Sequence, residues 1–318
     1  MQTIDAPRLA HALSERIETV VVGGAPLARA LLAALAARGH CLLEGVPGTG
    51  KTLLGQSFSR LVGLPFRRVQ LTPDLLPADL TGTLVLEPGA VQPTFRPGPL
   101  FTGLLMADEI NRAPPRTQAA LLEAMEERQI TVDGHSRPLD PAFTVIATLN
   151  AVETEGTWPL PEAQLDRFAL RLRMDYPDPA VEAALLERSD GGPDARSGPL
   201  GDLSPLVNAA ELQALCTLAE QVKLGARVRG FLLALVHAAR EDARVALGPS
   251  PRAALQLARL CRATAALAGR EHVVPDDVTS LLEPALAHRI ALHPEALMDG
   301  LRAETVLGEA RARVEVPR

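Results

Sequence analysis

The chain has 318 residues, 47% of them hydrophobic and 22% charged with both signs interspersed, which fits one large domain or two ordinary ones and excludes long disordered charge blocks. A formal net charge of −6 argues against a surface that is a nucleic-acid footprint throughout, since that affinity rests on clustered Lys and Arg; only a local basic channel stays open. No basic segment followed by an apolar one opens the chain, and the smoothest apolar run near the start, Ala30 to Ala37, falls far short of the roughly 20 residues that span a bilayer, so a cytoplasmic protein without membrane insertion is expected.

In chain order, Pro26 to Ala37 carries helical spacing, and Cys41 to Leu43 is a short apolar run that enters a glycine-rich turn. Thr52 to Leu61 resumes the helical pattern, so the turn lies between a strand and a helix. A second strand is predicted around Phe66 to Leu71. Two β-prone stretches between Thr83 and Phe95 flank Pro88-Gly89 and read as a hairpin, and Gln129 to Leu139 reads as another, turning at Asp133-Gly134. Both hairpins are expected to project from the core. Leu104 to Ala107 and Phe143 to Thr148 have the apolar character of central strands, and strands alternating with helices imply a parallel sheet covered on both faces.

Between residues 189 and 205 the run SDGGPDARSGPLGDLSP marks a linker. Beyond it Ala209 to Val222, Val228 to Ala243, Pro251 to Ala268 and Pro275 to Ile290 each carry an apolar stripe, which predicts a small helical bundle. The expected organisation is an α/β domain over 1–190, a linker over 191–206 and a helical domain over 207–318. Cys41, Cys216 and Cys261 are odd in number and far apart, so they are expected to be buried thiols rather than a disulfide framework or a zinc site.

The glycine-rich turn, Gly45-Val46-Pro47-Gly48-Thr49-Gly50-Lys51-Thr52, fits GxxxxGK[ST], and Leu53 follows in the first helical turn. Its glycines let backbone amides point at phosphate oxygens, and the helix after it offers a positive N-terminal end. Lys51 would neutralise the β- and γ-phosphates of ATP, and Thr52 would place its hydroxyl on Mg²⁺. Asp108 and Glu109 stand at the exit of a buried strand; Asp108 would hold the hydrated metal, and Glu109 would orient the attacking water or take its proton.

Asn150 follows the next central strand, where an uncharged donor could position the water or meet the γ-phosphate. Arg167 is too distant along the chain for spacing to assign, and a surface ion pair is the alternative. Ser250, Pro251 and Arg252 open a helix, and a cation in the first turn opposes the helix dipole, so a phosphate or an acidic side chain is expected beside Arg252.

These residues carry a resemblance. Through LLEGVPGTGKTLL, QLTPDLLPADLTGT, FRPGPLF, ADEINRAPPRTQAALLEAMEERQITVDG and PLPEAQLDRF, and more weakly through GPSPRA and AHRI, the chain resembles the MoxR family of AAA+ ATPases, in the branch with a hairpin inserted in helix 2. The resemblance implies a P-loop αβα sandwich followed by an all-α lid, with Asn150 as the sensor 1 residue, Arg167 as an arginine finger offered to a neighbouring subunit and Arg252 as the sensor 2 residue, acting either in its own chain or across the interface. It further implies a ring, usually a hexamer, and a chaperone-like role toward a protein client that often bears a von Willebrand factor A domain. Leu149 and Ala151 stand where the family commonly shows Gln and Pro. A metal-chelatase ATPase subunit and a nucleotide-gated scaffold are the alternatives, and a DNA-translocating helicase fits the acidic balance less well.

Overall fold

The computed structural model describes residues 4–89, 92–150, 156–176, 179, 181–183 and 200–317. The expected linker over 191–206 falls for the most part outside them, as does Ala151.

The chain opens with α1 (Ala6–Val20), capped by the Asp5 side chain on the Arg8 amide, then α2 (Ala25–Ala36), β1 (Cys41–Gly45), α3 (Lys51–Leu61) and β2 (Phe66–Gln70). Next come α4 (Pro77–Thr81), the hairpin strands β3 (Gly82–Val85) and β4 (Thr94–Pro97), β5 (Leu104–Asp108) and α5 (Pro115–Glu127). A second hairpin, β6 (Gln129–Val132) with β7 (His135–Pro138), precedes β8 (Thr144–Leu149), α6 (Glu162–Leu165) and β9 (Leu170–Met174). The helical part holds α7 (Ala209–Gln221), α8 (Ala226–Arg240), β10 (Val245–Leu247), α9 (Pro251–Leu267), α10 (Pro275–Leu286), β11 (Ala291–Leu292), α11 (Pro294–Met298) and α12 (Ala303–Arg313).

Five strands form one sheet in the order β2-β5-β8-β1-β9, all parallel. Alternation across the pleat divides the apolar side chains between two layers. Cys41, Leu43 and Ile146 face one layer with α1, α2, α3 and the helices of the lid, while Leu42, Val145 and Ala147 face the other with α5. The protein is therefore an αβα sandwich followed by a mostly helical part, and the apolar layer under α2 runs on without a break into α7 and α9.

Both expected hairpins form. The second turns through Asp133 at φ 52° and Gly134 at φ 76°, the left-handed pair that a two-residue hairpin loop requires. The two hairpins are tied together, because the Arg137 guanidinium stacks 3.9 Å from the centre of the Phe95 ring.

Three features depart from expectation. The helix predicted to run from Pro275 to Ile290 stops at Leu286, with Pro284 in its last turn, and a 3-10 turn over Ala287–Arg289 follows. The lid is not wholly helical, since β10 and β11 pair antiparallel. The edge strand β9 was not anticipated: its alternate residues Arg171 and Arg173 are charged, and they are matched by Glu44 on β1 and Glu304 on α12.

The three cysteines are free and buried, and burial pushes the Cys41 thiol up to about 12. Two buried histidines carry a pH dependence. Burial, with Arg128 nearby, holds His40 down to about 4, and burial, with Arg289 and Arg171, holds His288 down to about 3. The partners of His40 fit a neutral ring: the Val145 amide donates to Nδ1 at 3.0 Å, and Nε2 lies 3.1 Å from the Met125 carbonyl.

Because both values lie below the ordinary histidine range near 6.5, the unfolded chain takes up protons first as the pH falls. Their stabilisation is complete above about pH 6.5 and is lost on descent toward pH 4, at about 2 to 3 kcal/mol per residue. Urea unfolding should give a level midpoint from pH 7 to 7.5 and a falling one from pH 6.5 to 4.5; a midpoint unchanged at pH 4.5 would contradict this.

Candidate functional site

At the carboxyl end of β1 the chain must turn sharply into α3, and two different demands place glycine there. A Cβ on Gly45 would meet the Met174 carbonyl oxygen at 2.1 Å, so this residue is required by the close approach of β9. Gly48 and Gly50 have φ of 85° and 88° with open space around them, so they are required by backbone conformation alone. Their turn aims the N-terminus of α3 into the mouth of a cavity of about 380 Å³.

Lys51 is buried, and its ammonium donates to the carbonyls of Gly45 at 2.8 Å and Val46 at 2.7 Å, folding back over its own loop. Burial lowers its pKa, while the charges of Asp108 and Glu109 oppose that effect. Thr49 closes the turn by donating to the Val46 carbonyl at 3.0 Å.

The acid pair stands across the cavity. Asp108 is the last residue of β5, and Glu109 takes a left-handed conformation at φ 58°, ψ 55°. That kink turns two successive side chains toward one cavity, where a continuing strand would send them to opposite faces. Asp108 Oδ1 accepts from the Thr148 hydroxyl at 3.2 Å, and Oδ2 faces the Thr52 hydroxyl at 3.4 Å and accepts from Arg68 Nε at 2.6 Å. Glu109 is held by Asn150 Nδ2 at 2.9 Å and Arg112 Nε at 2.9 Å, while its amide donates to Thr148 Oγ1 at 2.9 Å.

The structure thus brings Pro47, Gly48, Gly50, Lys51, Thr52, Leu53, Asp108, Glu109 and Asn150 around one cavity; Gly45, Val46 and Thr49 shape the loop without lining it. Arg167 and Arg252 are not there. They meet at a second cavity, also about 380 Å³, where the Glu126 carboxylate pairs with Arg167 through one oxygen and with Arg252 through the other. The acidic side chain expected beside Arg252 is therefore Glu126.

Sequence reasoning passed over several residues around these sites. Arg68 and Gln70 line the first cavity from β2. Asp166 ties the lid to the sheet domain, because its carboxylate accepts from the Ser250 cap at 2.9 Å and lies 3.4 Å from the buried Arg289. Arg289 in turn donates to the Phe168 carbonyl at 2.6 Å, next to Arg167. The one signal for Arg68 is its spacing of two from Gln70, which puts both on one face of a strand.

Comparison with known proteins fits this geometry. The ATPase family associated with various cellular activities (AAA) matches residues 40–170, and the AAA lid domain matches residues 237–310. Sheet order, phosphate loop and lid together define the class, a P-loop ATPase of the AAA+ type. The chain is 42% identical over 303 residues to the uncharacterized protein YeaC of Bacillus subtilis, covering 95% of this chain and 93% of that one. It is 36% identical over 310 residues to the chaperone MoxR1 of Mycobacterium tuberculosis, covering 95% and 80%. A solved structure from Cytophaga hutchinsonii, named as a candidate ATPase, superposes with a TM-score of 0.90 at 33% identity over 98% of this chain and 96% of that one. The chain belongs to the MoxR family of AAA+ ATPases. No helix among the described residues is long and apolar enough to cross a membrane.

Proposed function

We propose that this protein is a Mg²⁺-dependent ATPase that works as a ring, usually a hexamer in its family, and uses ATP turnover to remodel, assemble or activate a partner protein in the cytoplasm. Residues 1–190 are its nucleotide-binding part and 207–318 its lid. A partner bearing a von Willebrand factor A domain is the client that the resemblance favours.

The observation that carries the reading is a division of labour. Phosphate loop and acid pair share one cavity, while the two arginines a phosphoryl-transfer site would use are paired at another. A chain that holds Arg167 and Arg252 away from its own phosphate loop would have a use for these two arginines in a neighbour's site, and cyclic symmetry would then give each interface one complete centre.

The residues present fit the nucleotide and the ion. Two positive-φ glycines leave the loop open toward the cavity, and the ion's donors would be one hydroxyl and one carboxylate, Thr52 and Asp108, whose oxygens lie 3.4 Å apart. Among the described residues no cluster of three or more His, Cys, Asp or Glu side chains could hold a metal by itself, which suits an ion that relies on substrate phosphates and water. When bound, Mg²⁺ would spread the charge of the β- and γ-phosphates.

Lys51 would leave its loop carbonyls for the same phosphates. Glu109, held between Asn150 and Arg112, would orient the attacking water and take its proton, and Asn150 would fix that carboxylate and meet the γ-phosphate. Arg167 and Arg252 would reach the γ-phosphate of the adjoining subunit.

Sedimentation velocity of Glu109→Gln, which should keep ATP without cleaving it, is the test. With ATP and Mg²⁺ it should run as a closed oligomer several times the chain mass and capture the client; monomers alone at about 10 µM would overturn the ring.

A further inference from the structure

Within the nucleotide cavity one cation has no part in the scheme above. Arg68 lies on β2, the strand beside β5, and its Nε donates to Asp108 Oδ2 at 2.6 Å. That is the oxygen facing the Thr52 hydroxyl; the other one is turned inward to Thr148. The guanidinium therefore sits on the carboxylate oxygen nearer Thr52, the residue that with Asp108 would hold a divalent ion. Asp108 is 5% exposed, whereas the Arg68 side chain is about half exposed at the cavity rim.

We infer that Arg68 is a cation in cis that takes the place of the metal on Asp108 while the pocket holds no nucleotide, so that the pocket refuses free divalent ions and admits the metal only together with its nucleotide. The inference rests on Asp108 and Thr52 being the metal-holding pair.

The charges support it. Lys51 and Arg68 balance Asp108 and Glu109, and Arg112 shares Glu109, so the pocket has no surplus negative charge to attract a free divalent cation. A guanidinium stays charged at every accessible pH, so the competition cannot be relieved by deprotonation. Mg·ATP changes the balance, since the triphosphate brings several negative charges. Arg68, displaced from Asp108, then has the terminal phosphate as an anion within the same cavity, and a guanidinium can grip phosphate through two parallel hydrogen bonds. Arg67, the next residue on β2, does not line the cavity and serves as a control.

Mn²⁺ binding to the full-length, nucleotide-free protein, read by electron paramagnetic resonance of the free ion, tests the inference. Arg68→Gln should bind Mn²⁺ at least about tenfold more tightly than the wild type. The gain should vanish when Asp108→Asn is added. Arg68→Lys, which keeps the charge, should stay close to the wild type, as should Arg67→Gln. Affinity for ATP with excess chelator should fall several-fold in Arg68→Gln, because a cation has left the pocket. An Arg68→Gln variant whose Mn²⁺ affinity lies within twofold of the wild type overturns the inference, and so does a gain that survives Asp108→Asn. Wild-type binding of Mg·ATP, measured alongside, separates the two levels: if it is normal, a failed Mn²⁺ result removes only the role of Arg68, and if it is absent the nucleotide reading falls with it.

Discussion

Replacing Lys51 with alanine should lower ATP affinity by about 10² to 10³-fold, the loss that follows when one partner of a desolvated, hydrogen-bonded charge pair is deleted. Its ammonium is buried beside the loop and, among the described residues, donates to the carbonyls of Gly45 and Val46. Removing it strips the pocket of the cation nearest the phosphates without breaking an ion pair that holds the fold. The unfolding temperature without nucleotide should therefore stay close to that of the wild type, while the rise that saturating Mg·ATP gives the wild type should disappear. A variant that still shows that rise would remove Lys51 from the phosphate site.

The second large effect is expected at Arg167. Arginines that neutralise the transition-state charge of a transferred phosphoryl group are worth about 10³ to 10⁵ in turnover. Arg167→Ala should lose turnover on that scale and keep ATP affinity within a few-fold, because Arg167 lies at the Glu126 cavity and not at its own chain's phosphate loop. Arg167→Lys should recover little, since a point charge cannot reproduce the planar two-pronged contact. Weakened ATP binding with unchanged turnover in Arg167→Ala would assign the residue to the fold, where it also donates to the Leu122 carbonyl at 2.9 Å.

How much of this was legible in the sequence depends on where each constraint lies along the chain. The phosphate loop is contiguous, and the acid pair stands at the exit of a five-residue strand that is buried throughout, so local pattern is enough to find both. Both hairpins announce themselves through Pro88-Gly89 and Asp133-Gly134. The strand β9 does not, because Arg171 and Arg173 give it the look of a loop until Glu44 and Glu304 are seen to pair with them. The pairing of β10 with β11 involves three residues and two, too few to carry a period.

Arg68 was out of reach for a different reason. Its meaning comes from a crossover that lays β2 against β5, and a spacing of 40 residues from Asp108 carries no signal of its own. Glu126 is similar: in a helix with several acids, nothing local marks the one that meets arginines from two distant segments.

The central claim is that each nucleotide site is completed by the neighbouring chain, and a mixing experiment tests it most directly. Lys51→Ala keeps Arg167 and Arg252 but should bind nucleotide too weakly to turn it over; Arg167→Ala keeps the phosphate loop but offers no finger. Each alone should be almost inactive, and mixing them under assembling conditions should restore turnover to a sizeable fraction of the wild-type rate. A mixture no more active than the average of its two parts, although sedimentation shows that they co-assemble, would contradict sites shared between subunits.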